Sequence, residues 1–318
     1  MSQHYEVLNR IGYGSVFNEI SIDYSNNLIK KVCVNEYGKN KIEHEKRFYK
    51  YIIDNKIVFK TPKIYSFLEN GYIMQYLNNY EPLYKNFCLM DRTIQKELIM
   101  NIEHSLSELH ATEKKYVSKA EYILNLNTEI YEKIKSRHDL IKTNVAKYDF
   151  ITKVNGITIL SFDEILNSLN ELIYKCIDEK PENDFFLSPI HGDCQFNNIL
   201  YNFDTKDYVF IDPRGYYGKN NIYGIPEYDY SKVLFALSGY DEFDNRDIID
   251  LEIKDDDIKI DIRTLDKDVF IRTDLAALLM YTIWLGNAEC FMKKNEKKGI
   301  YSYFLSLYLG TKILNNLY

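Results

Sequence analysis

Between residues 5 and 77 the apolar positions change their period twice. Tyr5-Glu-Val-Leu8, Val16-Phe17-Asn-Glu-Ile20 and Leu28-Ile-Lys-Lys-Val-Cys-Val34 read as short strands, parted by a glycine-containing turn at Gly12 and Gly14 and by Asn26-Asn27. From Lys39 to Tyr51 the positions Ile42, Phe48, Tyr49 and Ile52 recur near helical spacing with charges between them, which predicts one amphipathic helix laid on that sheet. Thr61-Pro-Lys-Ile-Tyr-Ser-Phe67 and Gly71-Tyr-Ile-Met-Gln-Tyr-Leu77 read as two more strands. The sum is a five-stranded antiparallel sheet carrying one helix.

Beyond Glu81-Pro82 the spacing becomes helical. Ile94, Leu98, Ile102, Leu106 and Leu109 lie three or four residues apart and define a long helix with Asp91 as its cap. Residues 118–180 continue as helices around a hairpin at Val154-Asn-Gly-Ile157, and the stretch from Thr273 to Tyr318 predicts two more helices. Trp284 falls in that last apolar run and reads as core. Glu252-Ile-Lys-Asp-Asp-Asp-Ile-Lys-Ile-Asp261 alternates around an acidic turn and reads as a solvated hairpin, with a cation-binding lid as the lesser alternative. A boundary near residues 78–90 divides the chain into a small lobe, residues 1–80, and a larger helical one, residues 81–318.

The chemistry concentrates in two segments. In His191-Gly-Asp-Cys-Gln-Phe-Asn-Asn198, Asp193 precedes Asn198 by five positions, and a strand follows. A loop of that size can turn Asp193 toward an attacking hydroxyl while Asn198 reaches a metal ion, as a kinase catalytic loop does. Two apolar-rich strands joined by the polar turn Asp204-Thr-Lys-Asp207 then bring Asp212 back beside Asn198. Hard magnesium prefers such carboxylate and amide oxygens and bridges nucleotide phosphates. His191 reads as a residue that packs and hydrogen-bonds to hold the loop, and Cys194, next to a carboxylate, as filler.

The sheet supplies a nucleotide side. Ile11-Gly-Tyr-Gly-Ser-Val-Phe17 has the form of a shortened glycine-rich loop, with Gly12 and Gly14 letting backbone approach phosphates and Ser15 at its tip. Lys30 stands where a phosphate-pairing lysine belongs, with Leu28-Ile29 before it, and Lys31 is its rival because adjacent strand residues face opposite sides. Glu45 is the expected ion-pair partner on the helix, with Glu43 as its rival. The backbone of Gln75 and Leu77 is expected to line the adenine pocket.

Composition narrows the class. The chain has 318 residues, 46% of them hydrophobic and 27% charged, within the range of a globular protein and long enough for two lobes. No stretch approaches the roughly 20 apolar residues of a membrane span. The start, Met-Ser-Gln-His-Tyr, has no basic apolar leader, so the cytoplasm is the expected location. Five cysteines without paired spacing argue against a disulfide framework, and a net charge of -7 argues against nucleic acid as a partner.

Together these residues resemble the aminoglycoside phosphotransferase and choline kinase family, from Gly12 to the helices after Asp229. The resemblance implies an α+β, bilobal protein-kinase-like fold, ATP and magnesium as cofactors, and transfer of a phosphoryl group to a small-molecule hydroxyl. It implies Asp193 as catalytic base or orienter and Asn198 and Asp212 as magnesium ligands. Asp229, in Gly224-Ile-Pro-Glu-Tyr-Asp-Tyr-Ser-Lys-Val-Leu234, looks like the family's aspartate that caps a helix and braces the catalytic loop. The chain departs from the family at Asp212-Pro-Arg-Gly-Tyr-Tyr-Gly218. An Asp-Pro start is similar to sugar-directed kinases and to phosphotransferase-like proteins found with surface-polysaccharide genes. The expected acceptor is therefore a sugar or amino-sugar-like metabolite, with an aminoglycoside or choline as the alternative. Arg214 contacts an anionic group of that acceptor or braces neighbouring carboxylates. A catalytically idle, nucleotide-binding regulatory protein is the reading from another class.

Overall fold

The computed structural model describes residues 5–8, 17–246, 249–261 and 274–317. The chain divides into two compact units, one formed by Met1–Lys115, Leu187–Ala236 and Asp241–Asn245, the other by Tyr116–Phe186, Leu237–Tyr240 and Arg246–Tyr318.

The first unit contains the expected sheet, with β1 (Glu6–Val7), β2 (Asn18–Asp23), β3 (Leu28–Cys33), β4 (Ile64–Leu68) and β5 (Gly71–Gln75) in the order β1-β2-β3-β5-β4. Every neighbouring pair in it is antiparallel. The β2–β3 turn is built by Asp23, whose carboxylate accepts from the Asn26 amide at 3.1 Å and from its side chain at 2.8 Å, while Asn27 takes a left-handed φ of 53°. Helix α1 (Glu36–Asp54) starts three residues before the periodicity suggests, because the Asn35 side chain caps it by accepting from the Gly38 N–H at 2.8 Å. Its buried face includes Ile42, Phe48, Tyr49 and Ile52. Burial of apolar side chains of this size contributes roughly 1.5–3 kcal/mol each.

Asp91 caps the helix Arg92–Ala111 by accepting from Thr93 N–H at 2.8 Å, and Leu98, Ile102, Leu106 and Leu109 form its buried stripe. Strands Ile199–Asn202 and Asp207–Phe210 form the expected hairpin. Its turn is an Asx turn, with Asn202 Oδ1 accepting from Asp204 N at 2.9 Å and Thr205 N at 3.1 Å. Strand Phe186–Pro189, which pairs with Tyr223–Gly224, delivers the chain to His191.

In the second unit the hairpin at Val154–Ile157 and the acidic hairpin join in one four-stranded sheet, and Asp256 of the acidic turn is held by Thr152 at 2.7 Å and Lys153 at 3.1 Å. Helix Phe162–Asp178 begins with a capping box of Ser161 and Glu164. The C-terminal stretch holds three described helices, Asp274–Leu285, Ala288–Met292 and Glu296–Leu317, where the sequence suggests two. Asp274–Met292 is also long and apolar enough to cross a membrane, contrary to the sequence reading, but 78% of it is buried inside the protein. Trp284 belongs to this core, its indole N–H donating to Ser238 Oγ at 2.8 Å.

Candidate active site

The loop after strand Phe186–Pro189 is fixed from beneath by a single carboxylate. Asp229, fully buried, accepts from the His191 N–H at 2.9 Å and the Gly192 N–H at 2.6 Å, and its Oδ2 lies 2.9 Å from His110 Nε2. Burial would raise this carboxyl, but His110 and the loop amides outweigh it and hold Asp229 below the ordinary carboxylate range. The bracing expected of Asp229 is present. The helix itself begins three residues earlier, at Pro226, and both carboxylate oxygens are occupied by the loop and His110. His191 is fully buried against Phe48, Phe59 and Phe210, which gives it a packing role, and burial lowers its pKa. Cys194 is buried too, its thiol donating to Asp229 O at 3.1 Å and pushed well up by burial.

This loop and the Asp212-Pro-Arg-Gly215 loop run back to back. The Arg214 N–H donates to His191 O at 2.8 Å, and a Cβ on Gly192, at φ 79°, would come within 2.8 Å of Arg214 Cβ. Gly215 at φ 68° abuts α1, where a Cβ would fall 2.0 Å from the His44 carbonyl oxygen, so only glycine fits. Between them Asp212 takes φ 55°, a left-handed conformation that costs a non-glycine residue of order 1–3 kcal/mol and that its proline neighbour disfavours further. The bond from Ile211 N–H to Asn198 O at 2.9 Å continues the hairpin ladder and brings the two segments together as the spacing predicts.

Asp193 emerges with its carboxylate held on both sides. Asn198 Nδ2 donates to Asp193 Oδ2 at 3.0 Å and to its carbonyl at 2.9 Å, and Lys232 Nζ lies 3.0 Å from Oδ1. Burial pushes this carboxyl up, and Lys232 outweighs burial and holds it down, so Asp193 is ionised at neutral pH. Lys232 is held charged in return.

A second cluster joins the sheet to Asp212. Lys31, with 2% of its side chain exposed, lies 2.9 Å from Glu45 Oε2 and 2.8 Å from Asp212 Oδ1. Tyr72 donates its hydroxyl to Glu45 Oε2 at 2.6 Å. Burial acts to lower the Lys31 pKa, and Asp212 and Glu45 together reverse it. Lys30, the residue preferred on sequence, faces the other way, its ammonium over the Tyr5 ring at 5.8 Å. The correction is one residue, and its cause is the alternation of β3: the apolar pair before Lys30 carries no information about which side the helix covers. Glu45 points inward as expected. Glu43 pairs instead with Lys46, a buried residue of α1 whose ammonium also donates to Leu68 O at 2.9 Å.

Gln75 closes β5, its N–H donating to Lys63 O at 2.8 Å, and Leu77 follows two residues on. Arg214 donates to Tyr228 OH at 2.8 Å and lies over the Tyr216 ring at 4.2 Å. Gly12, Gly14 and Ser15 lie outside the described residues.

No protein-family model and no curated protein sequence matches the chain. Solved structures do match. A wild-type aminoglycoside 2'-phosphotransferase IIIa in its GDP complex superposes with a TM-score of 0.56 at 13% identity, over 99% of this chain and 94% of that one. An ethanolamine kinase of Plasmodium vivax gives 0.52 at 14%, over 96% and 81%. A choline/ethanolamine kinase family protein of Mesorhizobium loti gives 0.52 at 9%, over 98% and 88%. The fold is the one these small-molecule kinases share.

Within this kinase-like fold, three residues of the site had no role assigned on sequence. Lys232 was legible, since it lies three positions after Asp229 and so on the same helix face. His110 had no local signal, because its partner is 119 positions away. Asp241 is the third: fully buried, it accepts from Phe196 N–H at 3.0 Å and Asn197 N–H at 2.9 Å and so pins the turn that ends in Asn198. Burial pushes the Asp241 carboxyl up to about 8, helped by Glu242 and Asp244 and opposed by the two amides. A carboxyl raised on folding binds a proton that the unfolded chain releases near pH 4, so its contribution to stability declines as pH rises from about 4 to about 8. Urea titrations across that window should show this decline. In Asp241→Asn it should flatten, with about 1–3 kcal/mol lost at pH 5 because the amide offers one acceptor for two N–H groups. An unaltered pH slope in the variant would refute the assignment.

Proposed function

We propose that this chain is an ATP- and magnesium-dependent phosphotransferase that moves the γ-phosphoryl group to a hydroxyl of a small molecule, a sugar or amino-sugar-like metabolite. The observation that carries it is the Asp193 carboxylate, held between Asn198 and Lys232, in the same unit as the buried Lys31–Glu45–Asp212 cluster. The shared fold with small-molecule kinases supports the reading.

In this reading residues 1–80 form the nucleotide-binding lobe and 81–318 the catalytic and acceptor-binding lobe. Lys31, positioned by Glu45, pairs with nucleotide phosphates, Gly12, Gly14 and Ser15 cover them, and backbone at Gln75 and Leu77 meets the adenine. Asn198 and Asp212 would hold magnesium. The fit is chemical: an amide and a carboxylate are hard oxygen donors, and among the described residues no group of three or more His, Cys, Asp or Glu could hold a metal by itself. Magnesium suits that pattern because it is commonly held by one or two protein oxygens plus the phosphates, whose charge it neutralises. Asp193 orients the acceptor hydroxyl, whose oxygen bonds to the γ-phosphorus as the bond to the β–γ bridging oxygen breaks. The hydroxyl proton passes to Asp193 and ADP leaves. Arg214 is proposed as a contact for an anionic group of the acceptor.

The test is ADP release with ATP or GTP, magnesium and a panel of glucose, glucosamine, ribose, fructose, choline, ethanolamine and kanamycin. Acceptor-dependent release with a sugar or amino sugar is the expected result. Release with kanamycin or choline alone would move the acceptor class. Nucleotide binding without turnover would favour the idle regulatory reading, and absence of both binding and turnover would sink the proposal.

A further inference from the structure

Lys232 lies in the Gly224–Leu234 segment without a role read from the sequence, yet its ammonium is the ionic partner of Asp193. Three observations bear on its purpose. The Asp193 carboxylate is held by two different donors on its two oxygens, Asn198 Nδ2 on Oδ2 and Lys232 Nζ on Oδ1, each at 3.0 Å. Two donors on opposite oxygens fix the plane of a carboxylate as well as its position, which one donor cannot do. The lysine is itself immobilised: only 13% of its side chain is exposed, and its ammonium lies 5.8 Å from the Tyr228 ring centroid and 5.5 Å from that of Phe235. Finally, Lys232 shares a helix, Pro226–Leu237, with Asp229, which takes the loop amides of His191 and Gly192. One helix therefore fixes both the backbone of the catalytic loop and the orientation of its aspartate.

Stability alone gives little reason for this arrangement. A desolvated ion pair returns little net free energy over apolar side chains of the same size. Asp193 is the more open partner, with 32% of its side chain exposed, so it could be solvated without Lys232.

We propose that Lys232 is a positioning residue for phosphoryl transfer, acting through Asp193 by holding the carboxylate plane toward the acceptor hydroxyl. This inference rests on the phosphotransferase reading above. It predicts that Lys232 affects the rate of transfer and not the binding of nucleotide, because the lysine touches the aspartate and the nucleotide cluster is centred on Lys31.

The variant Lys232→Met keeps the buried stem and removes the charge, and Lys232→Arg keeps a cation. With the panel acceptor that gives the fastest ADP release from the wild-type protein, Lys232→Met should lower kcat about 10- to 100-fold, the size of effect that misplacing a reacting group produces. The KM for ATP should stay within about two-fold, as binding and positioning are separable. Lys232→Arg should recover most of the rate. In an Asp193→Asn background Lys232→Met should cost nothing further, since the two act as one unit. Thermal unfolding of each variant checks that it folds. A folded Lys232→Met with wild-type kcat, a loss that appears only in KM, no recovery in Lys232→Arg, or an equal loss in the Asp193→Asn background would each overturn the proposal while leaving the phosphotransferase reading intact. A wild-type protein that turns over no acceptor overturns both.

Discussion

Asp193→Asn should lower the rate of phosphoryl transfer roughly 100- to 10,000-fold, the range spanned by removal of a positioned proton acceptor, with nucleotide affinity unchanged within about two-fold. Asparagine preserves the shape of the side chain and can still accept a hydrogen bond from Asn198 Nδ2, which in the native loop sits 3.0 Å from the carboxylate. It loses the negative charge that the proposed mechanism uses to orient the acceptor hydroxyl and take up its proton, and the ion pair with Lys232 at 3.0 Å. Nucleotide binding should be spared because the lysine of the nucleotide side, Lys31, is held by Glu45 and Asp212, whereas Asp193 is held by Asn198 and Lys232. Steady-state ADP release and a fluorescence titration with ATP separate the two quantities. Transfer within a few-fold of the wild-type rate would remove Asp193 from the mechanism.

Lys31→Met should have the second largest effect, and its contrast with Lys30→Met makes it decisive. Lys31 neutralises two carboxylates from different parts of the chain, Glu45 on α1 and Asp212 after the hairpin. Removing one partner of a buried charge cluster typically costs about 3–5 kcal/mol, because the remaining charges are left without compensation. Here Glu45 and Asp212 would face each other without the ammonium between them. The expected outcome in urea unfolding is a loss of that order, accompanied by weakened ATP binding. Lys30→Met, whose ammonium lies over an aromatic ring outside the cluster, should change stability by about 0.5 kcal/mol or less and leave ATP binding near wild type. The reverse ranking would return the phosphate-pairing role to Lys30.

These two residues mark how far the sequence could be read. The proximity of Asp193, Asn198 and Asp212 was legible because a loop and a tight hairpin confine them: a spacing of five positions and a four-residue turn leave few ways to connect them. The inward set of α1 was legible because helical period fixes which residues share a face, and Glu45 came with it. The Lys30–Lys31 choice was not, since a strand with period two gives both residues the same local pattern, and nothing within the strand says which of its faces α1 covers. Asp241 illustrates a further limit. Its partners, the amides of Phe196 and Asn197, are backbone groups more than 40 positions away and leave no trace in side-chain pattern. Lys232 could have been found from its spacing to Asp229, but only once Asp229 was known to face the loop and not solvent.

The Asp229 carboxylate has a consequence for how the chain acquires its shape. It gathers His110 from 119 positions upstream and the amides of His191 and Gly192 from 38 and 37 positions upstream. None of these contacts is local, and closing such long intervals costs chain entropy before any bond repays it. The His191–Asp193 loop therefore has no means of adopting its conformation on its own, and during synthesis it stays unshaped until the helix bearing Asp229 has emerged and docked. The shape of the loop thus waits on the docking of the helix Pro226–Leu237.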